Sequence, residues 1–372
     1  VELLVFIFLA GLGISVTSWA IPTKHRQTFI ALATFLVFIY LDWVSIVVLA
    51  ICTLLSYWLT SYGKTNRTKT LLGLFLLLAI FAFVKFNQNF NSDKALFSIL
   101  GFSFYLFRLI HLAIERYKGN LKDSSLKSWF EYLFFLPIIL VGPIERYESF
   151  EREVRRRRWD SKLLSAGFEK LLYGWAKIII LGNYVFTTQF DAFFPFFNTH
   201  IDWWREYGRC LQYAGNAYFQ FAGYSDIAIG LALLMGIRLQ ENFNFPFLAS
   251  SVNDFWRRWH ISLSEWCRDY IYVPIASKTR MPFWGILASM LILGLWHEFS
   301  WRYILWGLMH GVAILIWKLA DKKLGKYIPN QTLKTAISTF CTFNFIIISF
   351  GLIKDAEIHT TIDVMKTLLF LQ

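Results

Sequence analysis

LILGLWHEFSWRYILWGLMHG, residues 291–311, is the stretch on which the reading of the fold turns. Most of it is apolar enough for the hydrocarbon of a bilayer, yet it carries His297, Glu298, Arg302 and His310. Ionisable side chains at membrane depth cost free energy and are kept where they have a partner or a task. The run has company along the chain. Apolar stretches recur near residues 2–20, 28–41, 43–60, 70–88, 95–114, 163–195, 207–237, 283–297, 301–320 and 333–353. The 372 residues are 56% hydrophobic and only 17% charged, with a mean hydropathy of +0.46. A soluble domain carries about 25% charged residues. These features predict an all-α, polytopic integral membrane bundle of roughly 9–11 membrane segments. Continuous runs argue against the short alternating segments of a membrane β-barrel.

The net charge of +12 belongs to this picture and does not require nucleic acid as a partner. Basic residues concentrate in short loops on the cytoplasmic side of membrane proteins. Placing TKHR (23–26), KTNRTK (64–69) and ERYKGNLK (115–122) in the cytoplasm makes the first segments alternate. Asp42 and the loop KFNQNFNSDK (85–94) then fall outside, as does the beginning of the chain. RRRRW (155–159) is the densest basic cluster and can meet anionic lipid headgroups. The four cysteines are far apart and match neither a disulfide framework nor a metal pattern, so no metal is expected. The first run, VELLVFIFLAGLGISV, lacks a basic flank and reads as a retained helix and not a cleaved leader.

Three later stretches are polar where lipid would not favour it. WFEYLFFLPIILVGPIERY (129–147) is broken by Pro137, Gly142 and Pro143 and has basic sequence on both sides. It reads either as a re-entrant segment covered by protein, opening a cytoplasmic cavity, or as a kinked span. FAGYSDIAIGLALLMGIRLQENFNFPF (221–247) contains Tyr224, Ser225 and Asp226 in an apolar helix, then Asn242 and Asn244 in a helix-breaking turn. Asp226 needs a cationic partner, and the amides suit a cavity or an interhelical bond. DFWRRWHISLSEWCRDYIYVPI (254–275), drawn as one helix, puts Asp254, Arg257, Arg258, Glu265, Arg268 and Asp269 on one face and aromatics on the other. Such a helix can lie in the interface, or its arginines can receive the phosphates of a donor. His260 sits at the border of the two faces.

A neutral imidazole costs far less to bury than a charge, which makes His297 a candidate general base toward a hydroxyl. Other chemistries fail on spacing. HEFSW has Trp301 where a zinc protease motif needs a second histidine, and no serine-nucleophile or Gly-rich phosphate motif occurs. His310, between Gly307 and Gly311, reads as a packed histidine. Glu298 is not expected to orient His297, because neighbouring helical residues diverge by about 100°.

Taken together, FAGYSDIAIG, ENFNFPF, FWRRWHISLSEWCRDYIYVPI and LGLWHEFSWRYILWGLMHG, with FFLPIILVGPIERY upstream, resemble the membrane-bound O-acyltransferase (MBOAT) family. The similarity spans about residues 101–350 in family order, and it is strongest to the branch that O-acetylates alginate and other bacterial polysaccharides. The branch that transfers D-alanine to teichoic acids is similar but matches less well. The resemblance implies one membrane-embedded domain, 1–372: N-terminal helices (1–94), the family core (95–353) and a partial C-terminal helix (354–372). It implies a multi-pass protein of the bacterial cytoplasmic membrane with a funnel around a buried catalytic histidine, His297, and a second important position at His260. Trp296, Asn242, Asn244, Tyr224, Asp226, Arg257, Arg258 and Arg268 are then candidates for binding donor or acceptor. No bound cofactor is implied. An acyl thioester, acetyl-CoA or an acyl carrier protein, is the co-substrate, and a polysaccharide or an extracytoplasmic acetyl-transfer protein is the acceptor. The branch usually has Gly where this chain has Glu298, and longer members continue for one or two further helices. The competing readings are D-alanyl transfer from a carrier thioester, a non-catalytic transporter and a scaffold; a transporter would favour an internal repeat, and none is evident.

Overall fold

The computed structural model describes residues 2–61, 67–90, 101–121, 124–328, 330–355 and 357–370. Parts of the KTNRTK loop, of the Asn-rich loop and of the segment expected from residue 95, together with Lys122, lie outside the described residues. Among the described residues the chain is helical, apart from one isolated antiparallel bridge between Phe243 and Trp259. Among the described residues six helices are long and apolar enough to cross a membrane: Leu3–Ala20, Thr23–Thr60, Thr68–Phe86, Asp202–Leu234, Trp301–Ala320 and Gln331–Phe350. Pro282–His297 is apolar but shorter. Other expected segments take broken or merged forms.

The chain forms two compact units. The first comprises Val1–Gly174 and Tyr224–Gln240. It contains α1 (Glu2–Ala20), α2 (Thr23–Ser61), α3 (Arg67–Phe90), α4 (Phe102–Lys118), α5 (Leu126–Leu133), α6 (Leu136–Ile139), α7 (Tyr147–Arg156) and most of α8 (Ser161–Ala176). The two spans expected on either side of Asp42 are one run with a break at that residue (φ −160°, ψ 88°). The Asp42 carboxylate accepts from the Ser45 amide at 3.2 Å and from the Ser45 hydroxyl, so it caps the second half and no loop is needed.

The Pro-Gly segment is two short helices followed by irregular chain. Trp129, Tyr132, Phe134, Phe135 and Ile139 are fully buried, so protein covers this backbone as membrane depth requires. The carbonyls at the end of α5 still need donors. The buried guanidinium of Arg108 supplies them, donating to Tyr132 O at 3.0 Å and Leu133 O at 3.1 Å. Gly101 is fixed by contact: with φ +72°, a Cβ there would come within 2.5 Å of the Ile139 carbonyl oxygen. Asp226 is buried and pairs with a cation, Lys170, at 3.1 Å.

The second unit comprises Trp175–Gly223 and Glu241–Gln372. The stretch expected as a single helix over 163–195 changes register: α8 passes into a π-helix, Lys177–Thr188, before the short α9 (Phe190–Phe193). Widened turns free backbone carbonyls for other donors. Here Asn216, on α10 (Asp202–Leu234), donates to the Gly182 carbonyl at 3.0 Å.

The amphipathic stretch 254–275 is not one helix. It divides into α11 (Val252–Trp256), α12 (Ile261–Cys267), a π-turn (Arg268–Tyr272) and α13 (Val273–Thr279). The break falls at His260, whose φ of +44° is left-handed, a conformation that non-glycine residues seldom adopt. Tertiary pairing imposes it. Asn244 N donates to Arg258 O and Ile261 N to Asn242 O, both at 2.9 Å, so 242–244 runs beside 258–261 like a short ladder. Consequently the charged residues do not share one long face.

The remaining helices are α14 (Pro282–His297), α15 (Trp301–Tyr327), α16 (Gln331–Phe350) and α17 (Ile358–Leu368). α14 and α15 form a hairpin whose backbones nearly touch. A Cβ on Gly294 would lie 2.2 Å from Tyr303 O, and one on Gly307 would lie 2.4 Å from Met290 O. Only glycine permits this approach, and it brings the end of α14 against the first turns of α15.

Candidate active site

His297 is the last residue of α14 and His260 is the N-cap of α12. The indole of Trp296 contacts both imidazoles, with ring centroids 4.4 Å from His297 and 5.9 Å from His260. The two histidines are also within electrostatic reach of each other. One corner of the unit thus unites His260 with the distant pair Trp296 and His297.

Their environments differ. His260 is 2% exposed and packs edge-on against Phe221, with centroids 4.7 Å apart. Its Nδ1 lies 3.2 Å from Asn242 Oδ1, which also accepts from the Ser262 amide at 3.2 Å and the Ser262 hydroxyl at 2.9 Å. The amide donor identifies that Asn242 atom as oxygen. Oxygen only accepts, so Nδ1 of His260 carries the hydrogen and Nε2 presents its lone pair. Asn242 therefore selects the tautomer of His260.

His297 departs from the expectation of a buried histidine. Its side chain is exposed, backed by Tyr303 stacked at 5.5 Å (22° between planes) and by the edge of Trp306 at 5.8 Å. A helix end explains this. α14 stops at His297, and Glu298 is extended (φ −157°, ψ 141°). An accessible imidazole with one face covered can receive a substrate, which a sealed one cannot.

A cavity of about 590 Å³ is lined by residues of the same helices, though by neither histidine. One wall is a stripe of α14, Ile286, Ser289, Met290 and Leu293, which ends one helical turn before His297. The opposite wall includes Ile261 and Ser264 of α12, the helix that begins at His260. Arg257, Arg268 and Lys318 supply three cations to its lining, with Glu265 as the one carboxylate. Arg268 is exposed and bonded to Asp269 at 2.8 Å. Arg258 does not line this cavity and is held by Asp254 at 3.0 Å.

The remaining candidates fall elsewhere. Asn244 is exposed and contributes its backbone to the ladder that places His260. Tyr224 and Asp226 belong to the first unit, where Tyr224 lines a separate apolar cavity of about 240 Å³ and Asp226 pairs with Lys170. His310 is 1% exposed and satisfied at both nitrogens. Trp256 Nε1 donates to its Nδ1 at 3.3 Å, and its Nε2 lies 3.0 Å from Ser349 Oγ, whose own hydrogen goes to Ile346 O at 2.7 Å. That chain of donors makes His310 a structural Nε2–H tautomer. Among the described residues no group of histidine, cysteine and carboxylate side chains could hold a metal ion.

The two imidazoles and Trp296 thus form one corner, one helical turn along α14 from the last of its residues to line the cavity. Residues 28–353 match the model of the membrane-bound O-acyltransferase family. The chain belongs to that family. Among curated relatives, the probable alginate O-acetylase of Pseudomonas putida is 28% identical over 90% of this chain and 73% of its own length. The probable alginate O-acetylase of Azotobacter vinelandii is 33% identical over 58% of this chain and 44% of its own length. The teichoic acid D-alanyltransferase of Bacillus subtilis is 30% identical over 76% of this chain and 75% of its own length. This MBOAT protein is thus an acyltransferase and a multi-pass membrane protein.

Residues missed in the sequence join the candidate site of this MBOAT protein. Lys318 joins the cavity from α15, and Tyr303 and Trp306 back His297. Lys318 left a trace as a charge in an apolar helix. Tyr303 and Trp306 left none, because aromatics are common throughout this sequence.

Proposed function

We propose that this acyltransferase moves an acetyl group from a cytoplasmic thioester to a hydroxyl of an extracytoplasmic polysaccharide, or of a partner protein that serves one, in a bacterial cytoplasmic membrane. His297 is the general base. It takes the proton of the acceptor hydroxyl as that oxygen attacks the thioester carbonyl. The C–S bond breaks, and the leaving thiolate takes that proton from the His297 imidazolium to become the free thiol, which returns the imidazole to its neutral form. His260, held as its Nδ1–H tautomer by Asn242, offers its Nε2 lone pair to orient the acceptor or relay the proton. Trp296 sets the spacing of the two rings.

The observation that carries this reading is the cavity. Its cationic residues Arg257, Arg268 and Lys318 suit the phosphates of acetyl-CoA or of a pantetheine-bearing carrier, and its apolar stripe on α14 ends a turn short of His297. No bound cofactor is needed, since the thioester brings the activated carbonyl. The test is transfer of label from radiolabelled acetyl-CoA by the purified chain in detergent. Transfer or slow hydrolysis in the wild type, lost in His297→Ala, is the expected result. Full transfer by H297A ends the assignment, and a wild type that binds acetyl-CoA but never breaks its thioester favours a transporter.

D-Alanyl transfer is the second reading, favoured by the match to three quarters of the length of the Bacillus subtilis D-alanyltransferase. Offering a D-alanyl carrier thioester beside acetyl-CoA separates the two.

A further inference from the structure

The turn between α14 and α15 carries an ion pair that the base mechanism leaves unused. Arg302 bonds to both oxygens of Glu298, at 2.9 and 3.0 Å, and its side chain is only 10% exposed. Glu298 directly follows His297. Its extended backbone takes it out of the helix, so the divergence expected of adjacent helical residues does not apply. Tyr303, stacked on His297, is within electrostatic reach of both Glu298 and Arg302. The guanidinium also lies 5.8 Å from the Tyr303 ring centroid.

We infer that Arg302 is a positioning residue that cancels the charge of Glu298 beside His297, so that the imidazole remains a neutral base while Tyr303 fixes its plane. The inference rests, for its meaning in catalysis, on His297 being the base. Among the described residues, the titratable and charged groups connected with this corner include Glu298 after α14, Arg302 and Tyr303 of α15, His260 at the start of α12, Tyr213 of α10 and, through Tyr213, Asp355. Tyr213 itself is in reach of Arg302, Glu298 and Asp355. Glu298 and Arg302 form the opposed pair next to His297, so removing either one leaves the other's charge uncompensated. An uncompensated carboxylate stabilises imidazolium; an uncompensated guanidinium disfavours it.

The test uses the full chain in detergent and diethyl pyrocarbonate, which carbethoxylates an imidazole in its neutral form and not as imidazolium. The rate of His297 modification, read by peptide mass spectrometry across pH, needs no knowledge of donor or acceptor. In Arg302→Gln the acid limb of this profile moves to higher pH by roughly 0.5–1 unit, and in Glu298→Gln it moves to lower pH by a similar amount. The double variant returns to the wild-type profile. Limbs that stay in place, or that move in the same direction in both variants, overturn the inference. If R302Q does not fold, E298Q decides alone: a downward limb supports it and an unmoved limb overturns it. Retention of acetyl transfer by H297A would instead remove the base role and leave the limb shifts standing, so the two failures are distinguishable.

Discussion

Gly294→Ala tests whether the α14–α15 hairpin sets the position of His297. The added Cβ would lie 2.2 Å from the Tyr303 carbonyl oxygen, whereas ordinary contact begins at 3.4 Å. The obstacle is backbone within a helix, so it cannot swing away as a side chain would. The helices must separate locally by about 1 Å, an overpacking cost of about 1–3 kcal/mol. Gly294 is one turn before His297, and Tyr303 is the ring stacked on that imidazole. The displacement therefore falls on the reacting geometry, where a 1 Å misplacement costs about 10²-fold in rate. The assay is paired: melting of the purified protein in detergent and turnover of labelled acetyl-CoA. G294A should melt a few degrees lower and lose about two orders of magnitude in turnover. Gly13→Ala is the control, since its Cβ would meet nothing within 4 Å. Gly311→Ala is intermediate, because its nearest obstacle, at 2.9 Å, is the end of the Leu287 side chain. Unchanged turnover in G294A, or equal loss in G13A, would refute the reasoning.

The two other conspicuous histidines of α14 and α15 should behave oppositely to each other. H297A should keep the wild-type melting temperature, as befits an exposed side chain, and lose transfer; H310A should melt lower, because it strands the Trp256 Nε1 donor and leaves a cavity in a buried site, a cost of about 2–4 kcal/mol. Asn242→Ala removes an acceptor of three hydrogen bonds and frees the His260 tautomer, so turnover should fall at least tenfold with a stability loss of about 1–3 kcal/mol, read by the same two assays. Lys170→Met leaves the Asp226 carboxylate buried without its cation, and melting should report a loss of about 3 kcal/mol that Asp226→Asn in the same chain largely restores. Reversing charge at the cavity with Arg257→Glu and Lys318→Glu should raise the KM for acetyl-CoA well above tenfold with a smaller change in kcat; an unchanged KM would remove the phosphate role from that cavity.

How much of this site could be read in advance depends on which residues act through local pattern and which through tertiary contact. The apolar runs follow from composition, and among the described residues they yield six helices long enough to cross a bilayer. The pairing of His260 with His297 came from motif resemblance, and Trp296 came with it. The left-handed break at His260 left no local sign, since FWRRWHISLS contains no glycine or proline. It is forced by the backbone of 242–244, drawn alongside from another part of the chain, so a helical wheel through 254–275 placed charges on a face that does not exist. The exposure of His297 was equally hidden, because an apolar flank predicts burial unless the helix is known to stop there.

Glu298 and Arg302 show the boundary most clearly. Their spacing, i and i+4, is the ordinary spacing of a helical ion pair. Yet Glu298 is extended and stands before α15 begins. The pair therefore spans a corner instead of lining a helix face. What appeared to be a polar interruption of a membrane run is thereby a closed electrostatic unit: a carboxylate and a guanidinium that neutralise each other at the point where the chain must turn. Lipid favours such cancellation on solvation grounds alone. The consequence for chemistry follows without a separate selection. A turn that costs little to keep at membrane depth is also one that imposes little net charge on the imidazole beside it.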